Sequence, residues 1–291
     1  MLENVYTAYY NVYTFSVERF MKPECLGFFT NPNKPGALER TMEAFKAASQ
    51  AGFKCSVDAQ IAASLAGAPK FDELHPDVIL AFGGDGTILR SAPAALKFNA
   101  PILGVNLGRI GFLSEVDPST LNMALECLVN GKYEVDERMM LRCTINGEMA
   151  FDCLNEALLY KKSFSGIAEI SVVVDGTDAG RVFCDGLVIS TPTGATGYSI
   201  SAGGPVIAPG LDAAIITPIC PHTLGFRPIM VSDRAKVEFK VYGSGLVAVD
   251  GVYVADVTEA DDIRVERSEN SVSFIRFARR NLYSLIKDRL A

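Results

Sequence analysis

A five-residue segment with the sequence GGDGT, at residues 83–87, combines the residue types that phosphate chemistry requires. It directly follows the apolar run 78–82, so the pattern predicts a strand, a tight turn and then a helix. Three glycines in four positions let the backbone approach a ligand and point successive N–H groups at phosphate oxygens. Phosphate would repel Asp85, so a carboxylate in this turn indicates a group that takes a proton from a hydroxyl or binds a bridging metal ion.

An ordinary strand-to-helix turn with Asp85 as its cap would use the same residues. Average composition, however, produces this five-residue word in only roughly one of several thousand chains of this length. The sequence contains no Walker A motif and no GxGxxG motif after a strand. Residues 83–87 are therefore the predicted phosphate site.

Two further segments combine glycines with polar or aromatic side chains. NLGRIGF, at residues 106–112, ends another apolar run, and its Phe112 either lines the carboxyl edge of a parallel sheet or lies in the core. TPTGATGYSISAGGP, at residues 191–205, concentrates hydroxyls and glycines. These groups suit a polar groove that contacts riboses, amides and phosphates, although a surface loop has the same composition.

The elements that position these segments differ between the two halves of the chain. Apolar runs at residues 26–29, 77–82 and 101–106, with a helical pattern from Leu38 between the first two, predict an α/β domain with a parallel sheet. From Tyr133 onward, Asn-Gly and Asp-Gly turn signals at close spacing predict a β-rich domain. An amphipathic C-terminal helix is predicted to pack back on the first domain. In chain order, the predicted divisions are an N-terminal extension at 1–21, the α/β domain at 22–125, the β-rich domain at 126–272 and the C-terminal helix at 273–291.

Composition excludes several classes of protein. The formal net charge of −7 argues against a protein that follows nucleic-acid backbones, so the charge of an anionic ligand must be met by backbone N–H groups, a helix N-terminus or a metal ion. No uninterrupted apolar segment approaches the length of about 18 residues that a helix needs to cross a bilayer. Seven scattered cysteines without a CxxC pair, and a start without a signal-peptide pattern, predict a cytoplasmic protein. The extension at 1–21 is rich in aromatic residues and is predicted to pack on the α/β domain or on a neighbouring subunit.

The three segments, together with Asn155-Glu156, resemble the NAD kinase family. Members of this family transfer the γ-phosphoryl of a nucleoside triphosphate to the 2′-hydroxyl of the adenosine ribose of NAD. The resemblance extends from about residue 26 to residue 280. GGDGT alone is shared with diacylglycerol and sphingosine kinases, so the Asn-Glu pair and residues 193–205 make the resemblance specific.

The resemblance implies a role for each matching position. Asp85 corresponds to the catalytic aspartate, which accepts the 2′-hydroxyl proton. The predicted phosphate-binding and nucleotide-binding residues are Gly84, Gly86, Thr87 and Arg90. The predicted dinucleotide-binding residues are Phe112, Asn155, Glu156, Asp185, Thr193, Thr196, Gly197, Tyr198 and Ser201. Gly197 departs from the family pattern, which often has alanine there, and Val252 stands where glutamine is common.

The family resemblance also implies NAD and ATP as substrates and a homodimer or homotetramer. The acidic net charge and the lack of a long apolar run predict no nucleic-acid or membrane partner. Mg²⁺ or another divalent cation is the implied cofactor, since an acidic chain without a P-loop lysine must neutralise two polyphosphates. Two other functions would use parts of the same sequence. A lipid kinase would need an apolar groove where this chain has the hydroxyl side chains of Thr193, Thr196, Tyr198 and Ser201. A non-catalytic dinucleotide sensor would not need a proton acceptor at Asp85.

Overall fold

The computed structural model describes most of the chain. The described residues are 22–65, 67–108, 111–163, 165–223, 225–277 and 286–287. The predicted N-terminal extension at 1–21 lies outside them. Within these ranges, no helix is both long enough and apolar enough to span a bilayer.

The first half of the chain forms a parallel sheet with helical crossovers, as the sequence predicts. Its strands pair in the order β2-β1-β3-β4, and they comprise β1 (Cys25–Thr30), β2 (Lys54–Val57), β3 (Val78–Gly83) and β4 (Ile102–Asn106). The helices are α1 (Ala37–Gln50), α2 (Asp85–Phe98) and α3 (Leu121–Val129). Every residue of β1, β3 and β4 is buried. Their continuous apolar runs therefore fit strands covered on both faces.

The buried face of α1 differs from the simplest helical pattern. Leu38 and Phe45 are only partly buried, whereas the fully buried positions are Ala37, Thr41, Ala44 and Ala48. Small side chains let the helix axis lie close to the sheet, and the larger ones then pack along its sides.

The parallel sheet continues into antiparallel strands from the second half of the chain. These strands are β5 (Glu134–Ile145), β6 (Met149–Cys153), β8 (Ala168–Val174), β9 (Thr177–Cys184), β13 (Val237–Tyr242) and β16 (Ile263–Arg276). β16 pairs in parallel with β4, through Phe274 and Ile102, and antiparallel with both β5 and β13. One sheet therefore spans both halves of the molecule.

A second, antiparallel sheet packs against this extension. Its order is β12-β11-β10-β7-β14-β15, with bounds β7 (Glu156–Lys161), β10 (Gly186–Ser190), β11 (Ala213–Ile219), β12 (Ile229–Ser232), β14 (Ser244–Val249) and β15 (Val252–Thr258). Leu159 and Leu187 from this sheet share one buried cluster with Ile170 and Val237 from the first. The β-rich half is therefore a two-layer sandwich.

The C-terminal helix does not begin at residue 273. Residues 273–276 are the end of β16, where Phe274 pairs with Ile102 and Ile275 lies in the core of the parallel sheet. The local sequence VSFI is typical of a buried strand rather than of a helix. The rest of the predicted helix lies outside the described residues, apart from 286–287.

Candidate active site

The GGDGT turn lies where β3 ends and α2 begins. Gly84 is the extended N-cap of α2, and Asp85 is its first residue. At Gly83 a methyl group would lie 2.4 Å from Thr87 Oγ1, so this glycine lets the turn close on a buried threonine. A methyl group at Gly86 would meet no described atom within 4 Å. The helix N-terminus is therefore open on the side where an anion would bind.

The carboxylate of Asp85 is held by the loop that follows β4. It accepts hydrogen bonds from the backbone N–H of Phe112 (2.9 Å) and of Leu113 (3.1 Å). A methyl group at Gly111 would lie only 1.8 Å from Asp85 Oδ1. The absent side chain at Gly111 therefore allows the loop to lie directly on the carboxylate, and the two amides fix its direction.

Lys34 also reaches the turn, although the motifs did not identify it. A methyl group at Gly84 would have one neighbour within 4 Å among the described residues, Lys34 Nζ at 3.9 Å. Lys34 follows β1, which pairs in parallel with β3, so both strands end at the same edge of the sheet. The sequence signal was the position of the segment TNPNKP after the first strand, but only the strand order shows which turn this segment approaches.

The second group of polar residues forms around Asp250, which the sequence marked only as a turn residue. Asp250 has a left-handed backbone (φ 49°), and its carboxylate accepts hydrogen bonds from the N–H of Leu154, Asn155 and Glu156 at 2.8, 2.8 and 3.1 Å. The N–H of Asp250 in turn donates to the Glu156 carbonyl (2.9 Å). Asp250 therefore fixes the backbone of the predicted Asn-Glu pair.

Glu156 is the most perturbed carboxyl group near these residues. Burial, with a smaller effect of the Asp250 charge, raises the pKa of Glu156 to about 7. Its Oε2 atom and the hydroxyl of Ser190 lack a hydrogen-bond partner within the described part of the chain, and the two residues lie opposite each other on β7 and β10. Burial also raises the pKa of Asp250, although its three backbone hydrogen bonds oppose this effect. Glu156 is thus a buried carboxyl with an unused acceptor, as a hydroxyl ligand would require.

The hydroxyl-rich segment packs directly on this pair. Thr191 donates its hydroxyl to the Leu154 carbonyl (2.6 Å) and accepts from the N–H of Gly194 (3.0 Å). A methyl group at Gly194 would lie 2.1 Å from the Asn155 carbonyl oxygen, so only glycine fits there. A methyl group at Gly197 would lie 3.3 Å from Glu156 Oε2. Glycine at position 197 therefore leaves extra room beside the Glu156 carboxyl.

The other predicted site residues differ in how deeply their side chains are buried. Thr193 is buried, Thr196 is half-buried and donates to the Thr193 carbonyl (3.2 Å), and Tyr198 and Ser201 are exposed. Arg90 is exposed one helical turn beyond Gly86, and Phe112 is half-buried beside Asp85.

Asp185 immediately precedes β10, about 16 Å from Ser190 at the other end of that strand. It forms an ion pair with Lys161 (2.6 Å). Asp185 therefore lies apart from the pair that Asp250 fixes.

The two groups of site residues meet in one packed core. Leu113, next to Phe112, shares a buried cluster with Ile88 of α2 and with Leu154, which precedes Asn155. The phosphate turn and the Asn-Glu pair therefore flank the same core.

Comparison with known proteins identifies both halves. The family model of the ATP-NAD kinase N-terminal domain matches residues 26–133, and that of the ATP-NAD kinase C-terminal domain matches residues 154–277. The chain belongs to the NAD kinase family. Family membership confirms the predicted activity, that of an NAD kinase, a phosphotransferase with an alcohol group as acceptor. The match to the C-terminal domain argues against the lipid kinase.

Individual NAD kinases cover nearly the whole chain. The NAD kinase of Moorella thermoacetica is 37% identical over 276 residues, which are 91% of this chain and 88% of that protein. The structure of an NAD kinase from Archaeoglobus fulgidus in complex with ATP has a TM-score of 0.72 and 28% identity, and it covers 90% of this chain and 98% of that chain. The structure of yeast NADH kinase complexed with NADH has a TM-score of 0.82 and covers 92% of this chain and 87% of that chain. Because its sequence identity is 22%, this similarity shows the fold alone. The predicted fold class is confirmed.

Replacing Gly111 with alanine is expected to lower kcat by about tenfold or more, because the methyl group would displace the Asp85 carboxylate or the loop that holds it. Gly108→Ala is the matched control, since a methyl group there would meet no described atom within 4 Å. Steady-state kinetics and thermal melting of both variants provide the measurement. Equal kcat values for the two variants would contradict the contact between Gly111 and Asp85.

Glu156→Gln is expected to become more stable than the parent as the pH rises. The carboxyl keeps its proton to about pH 7 in the folded chain but only to about pH 4.5 when unfolded. Between these values the folded state binds more protons, so the free energy of unfolding of the parent falls with rising pH. The variant has no carboxyl group at this position, so its free energy of unfolding does not fall in this way. Its free energy of unfolding relative to the parent should rise by about 3 kcal/mol between about pH 4.5 and pH 8.

Chemical denaturation at these two pH values measures the difference. Glu148→Gln, at an exposed turn, controls for the removal of a carboxylate. An advantage of Glu156→Gln that is the same at both pH values would show that burial does not raise the pKa of Glu156.

Proposed function

We propose that Asp85 is the general base when this NAD kinase transfers the γ-phosphoryl of ATP to the 2′-hydroxyl of the adenosine ribose of NAD. The 2′-oxygen forms a bond to the γ-phosphorus, the bond from that phosphorus to the β,γ-bridging oxygen breaks, and ADP leaves. The proton of the hydroxyl passes to the Asp85 carboxylate. The observation that carries this proposal is the position of Asp85, at an open helix N-terminus with its direction fixed by two backbone amides.

The phosphate half of the proposed site combines backbone amides with one ammonium group. Gly84 and Gly86 let the triphosphate approach the N-terminus of α2, and Lys34 supplies a positive charge beside Gly84. Arg90 is proposed to reach back along the exposed face of α2. Thr87, whose side chain packs against Gly83, contributes through the backbone of the turn.

A divalent cation fits this arrangement, and Mg²⁺ is the proposed metal. The described residues contain no cluster of three or more His, Cys, Asp or Glu side chains that would hold a metal alone. Mg²⁺ usually keeps several waters and is held largely by substrate phosphates, so the open turn at Gly84 and Gly86 suits that mode and leaves the Asp85 carboxylate for the hydroxyl proton. The bound cation would neutralise charge on the transferring phosphoryl group.

The dinucleotide half of the proposed site lies on the β-rich side. Asn155 and Glu156 bind ribose hydroxyls and amide groups, which suits the unused acceptor of Glu156. Residues Thr193 to Ser201 form the adjacent wall, with Phe112 against the adenine. Asp185 is proposed to contact the far end of the dinucleotide, or the dinucleotide in the site of a second subunit, in a homodimer or homotetramer. Cytoplasmic residence is proposed because the seven cysteines are unpaired.

Product analysis tests the activity and its donor. The purified chain is incubated with NAD, ATP and Mg²⁺. In further reactions NADH or diacylglycerol replaces NAD as the acceptor, or polyphosphate replaces ATP as the donor. Formation of NADP from NAD and ATP is the expected result. Phosphorylation of diacylglycerol, or binding of NAD with no product from any donor, would contradict the proposal and favour the lipid kinase or the sensor.

Asp85→Asn is expected to lower kcat by about a hundredfold or more, because removal of a general base typically costs that much in the chemical step. The dissociation constant for NAD should change by less than about threefold, since the dinucleotide is held mainly by the β-rich half. Steady-state kinetics and calorimetric titration provide the two quantities. Retention of more than half of the parent kcat would exclude Asp85 as the proton acceptor.

Lys34→Met is expected to raise the KM for ATP by about tenfold while leaving the KM for NAD within about twofold, because the lost charge lies beside the phosphate turn. Lys46→Met is the matched control, since Lys46 is an exposed lysine on α1 that lines the same surface cleft as Lys34. Steady-state kinetics at fixed ionic strength compares the two variants. An equal rise of both KM values in Lys34→Met would argue against a contact with the donor.

A further inference from the structure

Four charged side chains lie together between the two groups of site residues; three of them are buried, and that of Asp136 is half-buried. This ion cluster comprises Glu115, Asp136, Arg138 and Arg276, and its formal charges cancel. Arg138 donates two hydrogen bonds to the Asp136 carboxylate, at 2.8 and 2.5 Å. Arg276 donates to the same carboxylate (3.1 Å) and to Glu115 (3.2 Å). Asp136 therefore joins the two guanidinium groups.

One end of the ion cluster contacts the loop that holds Asp85. Arg276 Nη1 donates to the carbonyl oxygen of Leu113 (3.1 Å), and the N–H of Leu113 donates to Asp85. Glu115, three residues after Phe112, accepts from both Arg276 and the N–H of Phe277. The end of β16 therefore fixes this loop from behind.

The other end of the ion cluster contacts the proposed dinucleotide wall. Arg138 Nη1 donates to Thr193 Oγ1 (3.2 Å). A guanidinium group has no acceptor, so the threonine oxygen accepts this hydrogen bond and its own proton remains to be donated elsewhere. Arg138 thus makes Thr193 a hydrogen-bond donor toward an acceptor oxygen, such as one on a ribose or a pyrophosphate.

Stability alone does not explain a buried ion cluster. Removing the two guanidinium groups and Glu115 from water is costly, and apolar residues of similar volume often stabilise a protein as well or better. Burial raises the pKa of Asp136, but its hydrogen bonds and ion pairs with Arg138 and Arg276 outweigh this and hold the pKa below its usual value. Asp136 therefore remains an acceptor for both arginines, and the geometry they impose persists.

We propose that Arg276 and Arg138 are positioning residues that place the two halves of the active site relative to each other. Arg276 holds the carbonyl of Leu113, the residue whose N–H orients Asp85, and Arg138 holds Thr193 as a donor toward the dinucleotide. Asp136 sets the relative position of the two arginines. This inference rests on the proposed roles of Asp85 and Thr193.

Kinetics of Arg276→Met and Arg138→Met separate positioning from stability. Arg276→Met is expected to lower kcat by about tenfold or more with the KM for NAD within about twofold, because it acts through Asp85. Arg138→Met is expected to raise the KM for NAD by about fivefold or more with kcat within about threefold, because it acts through Thr193. Arg142→Met is the matched control, since Arg142 makes a similar two-bond pair with Asp152 away from these contacts. It should lose thermal stability and keep both kinetic parameters.

A double-mutant cycle and two conservative variants complete the test. Thr193→Val should reproduce the KM effect of Arg138→Met, and the double variant should add little to either. Arg276→Lys and Arg138→Lys keep the charge and replace any Met variant that fails to fold. They should show smaller changes of the same kind, in kcat for Arg276→Lys and in the KM for NAD for Arg138→Lys.

Variants that lose stability but keep the kcat and KM of the parent, or that change both parameters alike, would overturn the positioning role. Failure of the parent chain to form NADP would instead refute the proposed function, so the two failures are distinguishable.

Discussion

The pairing of β16 with both β4 and β5 is the constraint on which the active site depends. β16 lies parallel to β4 at Phe274 and antiparallel to β5 along most of its length, so the α/β half and the β-rich half share one sheet. The strand ends at Arg276, whose side chain contacts the loop over Asp85. The edge that carries the phosphate turn and β6, the strand that leads into the Asn-Glu pair, are thus joined through β16 and β5 by backbone hydrogen bonds rather than by a flexible linker.

The electrostatics of the site follow from an acidic chain that must bind two polyphosphates. With a net charge of −7, the whole-protein field repels both substrates. Attraction must therefore be local, and in the proposed site it comes from the N-terminus of α2, the glycines of its first turn and the ammonium group of Lys34. On the other side, Glu156 is buried with an elevated pKa. A carboxyl group that is neutral below about pH 7 reduces the repulsion of a dinucleotide.

The residues that the sequence analysis predicted for the site belong to segments that are local in the chain. A strand, three glycines and Asp85 lie close together in the chain, and Asn155-Glu156 and the hydroxyl-rich segment are each continuous. Contacts between distant segments could not be predicted this way. Asp250 lies 94 residues from Glu156, whose backbone it fixes, and its sequence neighbourhood is that of an ordinary hairpin turn. Lys34, Gly111 and the ion cluster likewise acquire their roles only through strand order. The prediction of a helix from residue 273 was wrong because β4 and β5, the neighbours that make this segment a strand, are distant in sequence.

The distance from the Asp85 carboxylate to the adenosine 2′-oxygen tests the role of Asp85 most directly. A structure with the dinucleotide and a non-hydrolysable triphosphate bound would provide it. We predict hydrogen-bond contact, about 2.6–3.2 Å, with the γ-phosphate in line at the N-terminus of α2. A 2′-oxygen remote from Asp85 and bound by Glu156 or Asp250 would contradict this role and assign the proton transfer to that other carboxyl group.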